Sequence, residues 1–444
     1  MNDHALVWGL GKSGFASAKL LHHDQWRVTV IDRNNNDVLA ERAKSLQDLG
    51  IEVKLGFELT KEEFCRLKPC LTIVSPGIPW DHPILVMARA QRHKAIGEVE
   101  LAWHYLYRVP WIAVTGTNGK TTTTALISAI FQQAGYHAPC CGNIGVPICE
   151  IALTKPAWVI AELSSYQIES SPSVHPKIGV WTTFTPDHLS RHGTIERYAA
   201  IKAHLLHQSQ MPVLNADDPY LAKQKPQFPH AFWTSTREKA DAYIDRDWVY
   251  FQGKKILPLA EWQLLGNHNR QNLLLAVAAG CLGGISPDQI RAAVAQFRGI
   301  PHRLEPVLHQ NGTVWINDSK ATNYDAALTG LEAVEAPVIL ICGGEAKKGE
   351  PKAWLELIQR KVVHVLLIGS AADLFAQFLS GIGFEAFTIV HDLDRAVVLA
   401  STMASQLGAK SVLFSPACAS FDQYPNFEVR GDHFRQLCQE IGHG

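Results

Sequence analysis

The chain has 444 residues, with 41 Lys plus Arg against 42 Asp plus Glu and a formal net charge of −1. That balance excludes the bulk basicity that draws nucleic acid and leaves no charged block to act as a tail, so small-molecule partners are expected. At about 150 residues per domain the length suits about three domains, each able to bury its own core.

Nine cysteines, without a Cys-x-x-Cys pair and with Cys140 and Cys141 adjacent, suit neither a zinc site nor a disulfide framework and fit a reducing cytoplasm. The amino terminus, MNDHALVWGLGKSG, lacks a basic region followed by an uninterrupted apolar core. The longest apolar run, residues 273–285, is 13 residues and holds three glycines, short of the ~20 needed to span a bilayer. A soluble cytoplasmic protein without membrane insertion is the expectation.

The first segment opens with a strand over residues 5–8. It runs into Gly9-x-Gly11-x-x-Gly14 and an amphipathic helix through Leu21. A second strand, 27–31, ends at Asp32, eighteen positions after Gly14. This is the order of a Rossmann-type β-α-β unit. Two readings compete: an NAD site with Asp32 on the ribose hydroxyls, or a site for another nucleotide's diphosphate. Residues 72–79 read as a fourth strand and a tight turn, which puts Ser75 and Gly77 near the carboxyl ends of the strands where ligands bind. The plainer alternative is a turn that only reverses the chain. From Ile96 the pattern is helical, which sets a boundary near residue 95.

Residues 111–114 form a β-rich run that leads into Gly116, Gly119, Lys120 and four threonines, then a helical pattern over 125–134. Glycines let the backbone approach an anion, a helix N-terminus directs N–H groups at it, Lys120 adds charge and Thr121 offers Mg²⁺ a hydroxyl. Triphosphate binding is indicated, although the usual spacing wants glycine where Val114 stands. The alternative is an ordinary glycine turn.

Residues 142–147 read as a loop carrying Asn143. A buried strand, 157–161, delivers Glu162 at its tip, placed to hold Mg²⁺, though a lone acid there is more often a helix cap. Strand 178–183 ends in Thr185-Pro186-Asp187-His188. His188 could serve a metal or substrate, yet an isolated histidine among 20 usually signifies nothing. Helix 198–206 carries Lys202, by itself a solvated lysine. A strand and turn at 214–219 precede β-hairpins over 230–262. The loop 266–272 caps an apolar helix over 273–282, its asparagines serving as N-caps or touching a base or ribose.

The third segment begins near residue 301. A hairpin at Asn311-Gly312 precedes strand 314–317, which runs into Asp318-Ser319-Lys320-Ala321-Thr322-Asn323. Strands 338–342, 363–369 and 411–415 alternate with helices, so a second parallel α/β sheet of Rossmann type is expected.

In this order and at these spacings, TGTNGKTT, GNIG, ELSSYQ, TPDHL, YAAIK, LGNHNRQN, PHRLE, INDSKATN, GGEAKK and SPACASFDQYPNFEVRGDHF give a chain that resembles, over its full length, the ATP-dependent Mur ligases, most of all their D-glutamate-adding branch. The resemblance implies an α/β protein of three domains: a UDP-binding Rossmann-like domain (1–95), a central phosphate-loop ATPase with a mostly parallel sheet (96–300) and a carboxy-terminal Rossmann-like domain for the amino acid (301–444). It implies a cytoplasmic monomer in peptidoglycan precursor synthesis. ATP would phosphorylate the carboxylate of UDP-N-acetylmuramoyl-L-alanine, and the amine of D-glutamate would displace phosphate.

The residue roles follow from the same resemblance. Gly116, Thr117, Asn118, Gly119, Lys120, Thr121 and Thr122 would hold ATP phosphates, with Thr121 and Glu162 on one Mg²⁺. His188 and Lys202, the latter carbamylated by CO₂, would serve a second. Ser13, Asp32, Ser75 and Gly77 match a UDP pocket, and Asn143, Gln167 and His188 substrate contacts. Asn272, Arg303, Asp318 and Lys320 match the ATP-facing set, and Thr322, Lys347, Ser420, Phe421 and Phe427 a D-glutamate pocket. Relatives often read Asp-Lys-Gly where this chain has Ala346-Lys347-Lys348, which leaves open which lysine meets glutamate. Lys12 stands where an apolar residue is usual. Two rival readings exist: an NAD-dependent oxidoreductase, which leaves the later segments without a task, and a non-catalytic nucleotide-binding regulator.

Overall fold

A computed structural model describes residues 3–346 and 349–442. The chain forms two compact units, one of residues 1–262 with 271–297, the other of 263–270 with 298–444. The first unit holds two sheets and the second one.

The first sheet comprises β1 (His4–Trp8), β2 (Arg27–Ile31), β3 (Glu52–Lys54), β4 (Leu71–Val74) and β5 (Lys94–Gly97), in the order β3-β2-β1-β4-β5. All its pairings are parallel. Ala5, Leu6 and Val7 are wholly buried, as a strand covered on both faces requires. The helix Lys12–His23 covers one face through Ala16, Ala18, Leu20 and Leu21. It packs close because Gly14 has no side chain; a Cβ there would lie 1.9 Å from the carbonyl oxygen of Gly9. Strand order reverses at β1, which opens a crevice above the carboxyl ends of β1, β2 and β4.

Two edge strands escaped the sequence pattern. β3 is only three residues long. β5 runs across the expected boundary at residue 95, and the helix begins only at Glu98. Ile96 and Val99 are both buried, and their spacing of three imitates a helical face although Ile96 belongs to the sheet.

The second sheet comprises β6 (Trp111–Thr115), β7 (Cys140–Gly142), β8 (Val159–Glu162), β9 (Ile178–Trp181), β10 (Met211–Asn215), β11 (Phe232–Ser235), β12 (Ala242–Asp245), β13 (Trp248–Phe251) and β14 (Lys254–Pro258). Their order is β14-β13-β12-β11-β10-β9-β6-β8-β7. Pairing is parallel from β7 to β12, and only β12-β13-β14 run antiparallel. The hairpins expected over 230–262 thus hold for β12 to β14, whereas β11 extends the parallel sheet.

The helix after β6 is Lys120–Gln133, starting at the phosphate-loop lysine rather than at 125. The helix predicted over 273–282 spans Asn267–Leu282. Its polar first turns looked like a loop because polarity suggests exposure, yet Asn269, Gln271 and Asn272 are buried. Gln271 donates to Asn215 Oδ1 at 2.6 Å and Thr234 Oγ1 at 2.6 Å, polar partners inside the fold.

The third sheet comprises β15 (Glu305–Gln310), β16 (Thr313–Asn317), β17 (Val338–Gly343), β18 (Val362–Ile368), β19 (Phe387–His391) and β20 (Ser411–Phe414), in the order β15-β16-β20-β17-β18-β19. It is parallel except for the β15-β16 hairpin. Asn311 (φ 51°) and Gly312 (φ 78°) make the two-residue turn that closes it, the left-handed pair that Asn-Gly predicts. Trp354, Leu355, Leu357 and Ile358 bury one face of the helix Lys352–Lys361.

Candidate active site

The glycine turn after β1 and the turn after β4 wall one cavity of about 580 Å³, lined among others by Trp8, Lys12, Ser13, Asp32, Arg33, Leu59, Ser75, Gly77, Ile78 and His82. The structure therefore gathers Ser13, Asp32, Ser75 and Gly77 around one cavity. Asp32 organises the turn: Oδ2 accepts from the Leu10 N–H and Oδ1 from the Asn34 N–H, both at 2.8 Å. Ser75 Oγ donates to the Gly9 carbonyl at 3.1 Å. Trp8 and His82 meet edge to face at 4.8 Å in the cavity wall, a pair the sequence did not advertise. Lys12 and Arg33 bring positive charge suited to phosphate.

The phosphate loop starts where β6 ends. Val114 is fully buried and pairs with Glu162 across β6-β8, so the strand continues where the common spacing would place glycine. Gly116 (φ 150°) and Gly119 (φ 81°) take conformations that disfavour side chains. The segment 182–185 acts as a template for this loop. The Thr117 N–H donates to the Thr183 carbonyl and the Asn118 N–H to Thr183 Oγ1, each at 2.9 Å. The Thr182 hydroxyl donates to the Asn118 carbonyl, filling the space a side chain on Gly116 would need. The N–H groups of Thr117 and Asn118 are thereby engaged, and the start of the helix Lys120–Gln133 is where N–H groups without intrahelical partners could meet an anion. Lys120 Nζ meanwhile donates to the carbonyls of Gly116 and Thr117 at 3.0 and 2.9 Å. Asn272 Oδ1 accepts from Thr123 Oγ1 at 3.3 Å and abuts Gly119.

Glu162, the last residue of β8, is 1% exposed. Its Oε1 accepts from Asn143 Nδ2 at 2.7 Å, while Oε2 is buried with no hydrogen-bond partner. An orphaned carboxylate oxygen is costly unless a cation meets it, and Mg²⁺ prefers oxygen ligands. Glu162 is no helix cap. Among the described residues no group of three or more His, Cys, Asp or Glu could hold a metal ion, so a cation here would draw on hydroxyls, phosphate or a modified side chain.

Lys202, on the helix Ile195–His207, is 1% exposed and is not a solvated lysine. Its Nζ donates to the Gly116 carbonyl at 2.9 Å and to Thr115 Oγ1 at 3.3 Å, 4.7 Å from the Tyr198 ring centre. Burial, then repulsion from Lys120, pushes its pKa well below the usual lysine value against the attraction of Asp187 and Glu162. His188 takes a left-handed backbone conformation (φ 54°), lies 3.4 Å from Asp187 and 5.0 Å from the Tyr166 ring. Gln167 Oε1 accepts from the N–H and hydroxyl of Ser164 at 3.0 Å, in a capping box.

In the second unit, Asp318 is buried, accepting from the Leu304 N–H at 3.2 Å and Ser415 Oγ at 2.8 Å. Burial pushes its pKa up to about 7. Arg303 has a buried Nε without a hydrogen-bond partner, and Lys320 Nζ lies 5.6 Å from the Phe427 ring. Ser420 is buried, Thr322 partly so and Phe421 is 70% exposed. Lys347 and Lys348 lie outside the described residues. The sequence did not single out Arg430. It is 1% exposed and donates to Ser319 Oγ and O and to the carbonyls of Cys418 and Ala419 at 2.8 to 3.1 Å. It ties the loop of Lys320 to that of Ser420; a lone arginine on the buried face of the helix Phe427–Gly442 was its only sequence sign.

Residues 114–280 match the family model of the Mur ligase middle domain, and residues 3–97 that of the Mur ligase MurD-like N-terminal domain. The chain is 52% identical to the UDP-N-acetylmuramoylalanine--D-glutamate ligase of Thermosynechococcus vestitus, covering 98% of this chain and 99% of that one. It is 51% identical to the protein of the same name from Synechocystis sp., covering 98% of each chain. Among solved structures it resembles the UDP-N-acetylmuramate-alanine ligase of Thermotoga maritima, with a TM-score of 0.61 at 19% identity over 99% of this chain and 100% of that one. A pseudomurein peptide ligase type C from Methanothermus fervidus gives 0.58 at 18% identity, over 99% and 100%.

Proposed function

The chain belongs to the Mur ligase family, and from that premise we propose that it joins D-glutamate to UDP-N-acetylmuramoyl-L-alanine at the expense of ATP, in peptidoglycan precursor synthesis. The near full-length identity to D-glutamate ligases carries the choice of substrates. A free carboxylate resists amine attack. Transfer of the γ-phosphoryl group to the alanyl carboxylate gives an acyl phosphate and ADP; the neutral amine of D-glutamate then attacks the acyl carbon, and phosphate leaves with its electron pair as the amide forms and the amine loses its proton.

Lys120 and the N–H groups at the start of its helix hold the phosphates. Thr121 and the orphaned oxygen of Glu162 hold one Mg²⁺, and His188 with carbamylated Lys202 a second. The ions supply charge neutralisation between two anionic reactants. Carbamate formation needs a neutral amine, which joins CO₂ and releases a proton. Burial favours that form of Lys202, whereas an ammonium there would repel a cation. Asn143, Gln167 and His188 take the reacting end of the sugar-peptide, and the cavity beside Ser13, Asp32, Ser75 and Gly77 takes UDP. Asn272, Arg303, Asp318 and Lys320 face ATP; Thr322, Lys347, Ser420, Phe421 and Phe427 receive D-glutamate. Three domains, divided near residues 95 and 300, share these tasks in a cytoplasmic monomer. Among the described residues no helix is long and apolar enough to cross a membrane.

An ATP-dependent ligation assay against a panel of amino acids tests the proposal. ADP release is expected only with both UDP-N-acetylmuramoyl-L-alanine and D-glutamate present. Brisk turnover with L-lysine or diaminopimelate instead would sink it.

A further inference from the structure

The turn that walls the UDP cavity is fastened to the segment that carries His188. Arg191, in the short helix Leu189–His192, begins one turn after His188, and its N–H bonds back to the His188 carbonyl at 3.0 Å. Its guanidinium Nη2 donates to the carbonyl of Ile78 at 3.2 Å. Ile78 lines the cavity, and its own N–H is bonded to the Ser75 carbonyl at 3.0 Å. The same Nη2 lies 3.4 Å from Glu169 Oε2, whose other oxygen accepts from Arg197 Nη2 at 2.8 Å. The guanidinium carbon of Arg191 also lies 5.3 Å from the centre of the Tyr166 ring, which packs 5.0 Å from His188. The side chains of Arg191 and Glu169 are only 15% and 8% exposed, so the pair is shielded from the screening that makes surface pairs weak.

We propose that Arg191 is a positioning residue that sets the span between the UDP cavity and His188, and so selects a substrate whose reacting carboxylate lies at the matching distance from its uridine end. The inference rests on the function proposed above. UDP alone occupies the cavity and has no need of the His188 turn. The whole substrate spans both. A guanidinium bonded to a backbone carbonyl, held by a carboxylate and stacked on a ring has its geometry fixed from three sides, which a shorter point charge does not reproduce.

The test compares wild type with Arg191→Met and, as a milder release of the same contact, Glu169→Gln. The Kd for UDP is measured by calorimetry, and KM and kcat by ADP release with UDP-N-acetylmuramoyl-L-alanine and D-glutamate. In Arg191→Met, the KM for the full substrate is expected to rise at least fivefold and kcat to fall at least tenfold, while the Kd for UDP stays within twofold. Glu169→Gln shifts the same two constants in the same direction by less, and Arg191→Lys recovers part of the KM. Unchanged kinetics in a folded Arg191→Met protein, or an equal weakening of UDP and the full substrate, would overturn the assignment. If Arg191→Met does not fold, wild-type kinetics in Glu169→Gln overturn it. Wild-type protein without ligase activity would instead sink the proposed function.

Discussion

Asn143 donates to Glu162 Oε1 at 2.7 Å and so fixes which carboxylate oxygen, the buried Oε2, is left for a cation. A partner that orients a metal ligand typically matters about 10–100-fold in metal affinity or activity. Asn143→Ala is therefore expected to raise the Mg²⁺ concentration for half-maximal ligation by about 10–100-fold, with recovery at high Mg²⁺. A rate that stays low at saturating Mg²⁺, with its half-maximal concentration unmoved, would remove the metal-orienting role.

Lys202 is enclosed by Thr115, Gly116 and Tyr198, and its lowered pKa keeps the neutral amine populated at lower pH than an ordinary lysine. Lys202→Ala should lose nearly all activity and regain a fraction with added formate or acetate. Wild-type protein in ¹³CO₂ should show a carbamate carbon resonance that the variant lacks. Full activity in the untreated variant counts decisively against a carbamate.

Thr183, two residues beyond β9, bonds to the N–H and carbonyl of Asn118 in the glycine loop, at 2.9 and 3.1 Å. Thr183→Val keeps the shape and deletes both bonds, which are solvent-exposed, so the loss is about 0.5–1.5 kcal/mol for each. The KM for ATP should rise about tenfold, and Thr183→Ser should restore most of it. A Thr183→Ser protein no better than Thr183→Val would show that packing rather than the hydroxyl matters.

Glu98 lies wholly buried at the start of the helix Glu98–Leu106, where Oε1 accepts from the Cys149 N–H at 2.6 Å and Oε2 has no partner. Burial pushes its pKa up to about 7 from an ordinary value of 4.5. The folded state thus binds this proton more tightly than the unfolded one. Its contribution is largest below about pH 4.5, and stability is lost as pH climbs to about 7, by roughly 3 kcal/mol in all. Glu98→Gln removes that slope. Its melting temperature should exceed that of wild type by several degrees at pH 8 and match it near pH 5; parallel curves across this range would show that Glu98 does not titrate there.

Gly14→Ala should push the Gly9 turn out of place, since the new methyl carbon would meet the Gly9 carbonyl oxygen at 1.9 Å. Backbone cannot yield as a side-chain tip does, so about 1–3 kcal/mol of stability goes, and calorimetry should find UDP binding weakened. Tight UDP binding in this variant would show that the turn does not shape the cavity.

The α/β class and most strands were legible because buried parallel strands are continuous apolar runs that end in glycine or polar turns. TGTNGKTT was legible because phosphate binding leaves glycines and a lysine at fixed spacing. Lys202 was not legible from its helix alone, since nothing in an apolar-spaced helix says that its lysine faces inward; only the resemblance singled it out. The threonines at 182 and 183 look like ordinary strand residues, and their bonds to a loop more than sixty positions earlier exist only once β6 and β9 lie side by side. Polar residues of the helix Asn267–Leu282 were misjudged for a related reason: their partners come from strands elsewhere in the chain.

Lys120 bonds to the carbonyls of its own loop, so its charge is shared with two backbone oxygens. An incoming anion must outcompete two internal acceptors that stand at fixed positions and cannot diffuse away. For the nucleotide site proposed above, a triphosphate has the advantage of bringing several oxygens at once. In the function proposed above, selection for a ligand of many oxygens follows from how a single side chain is held.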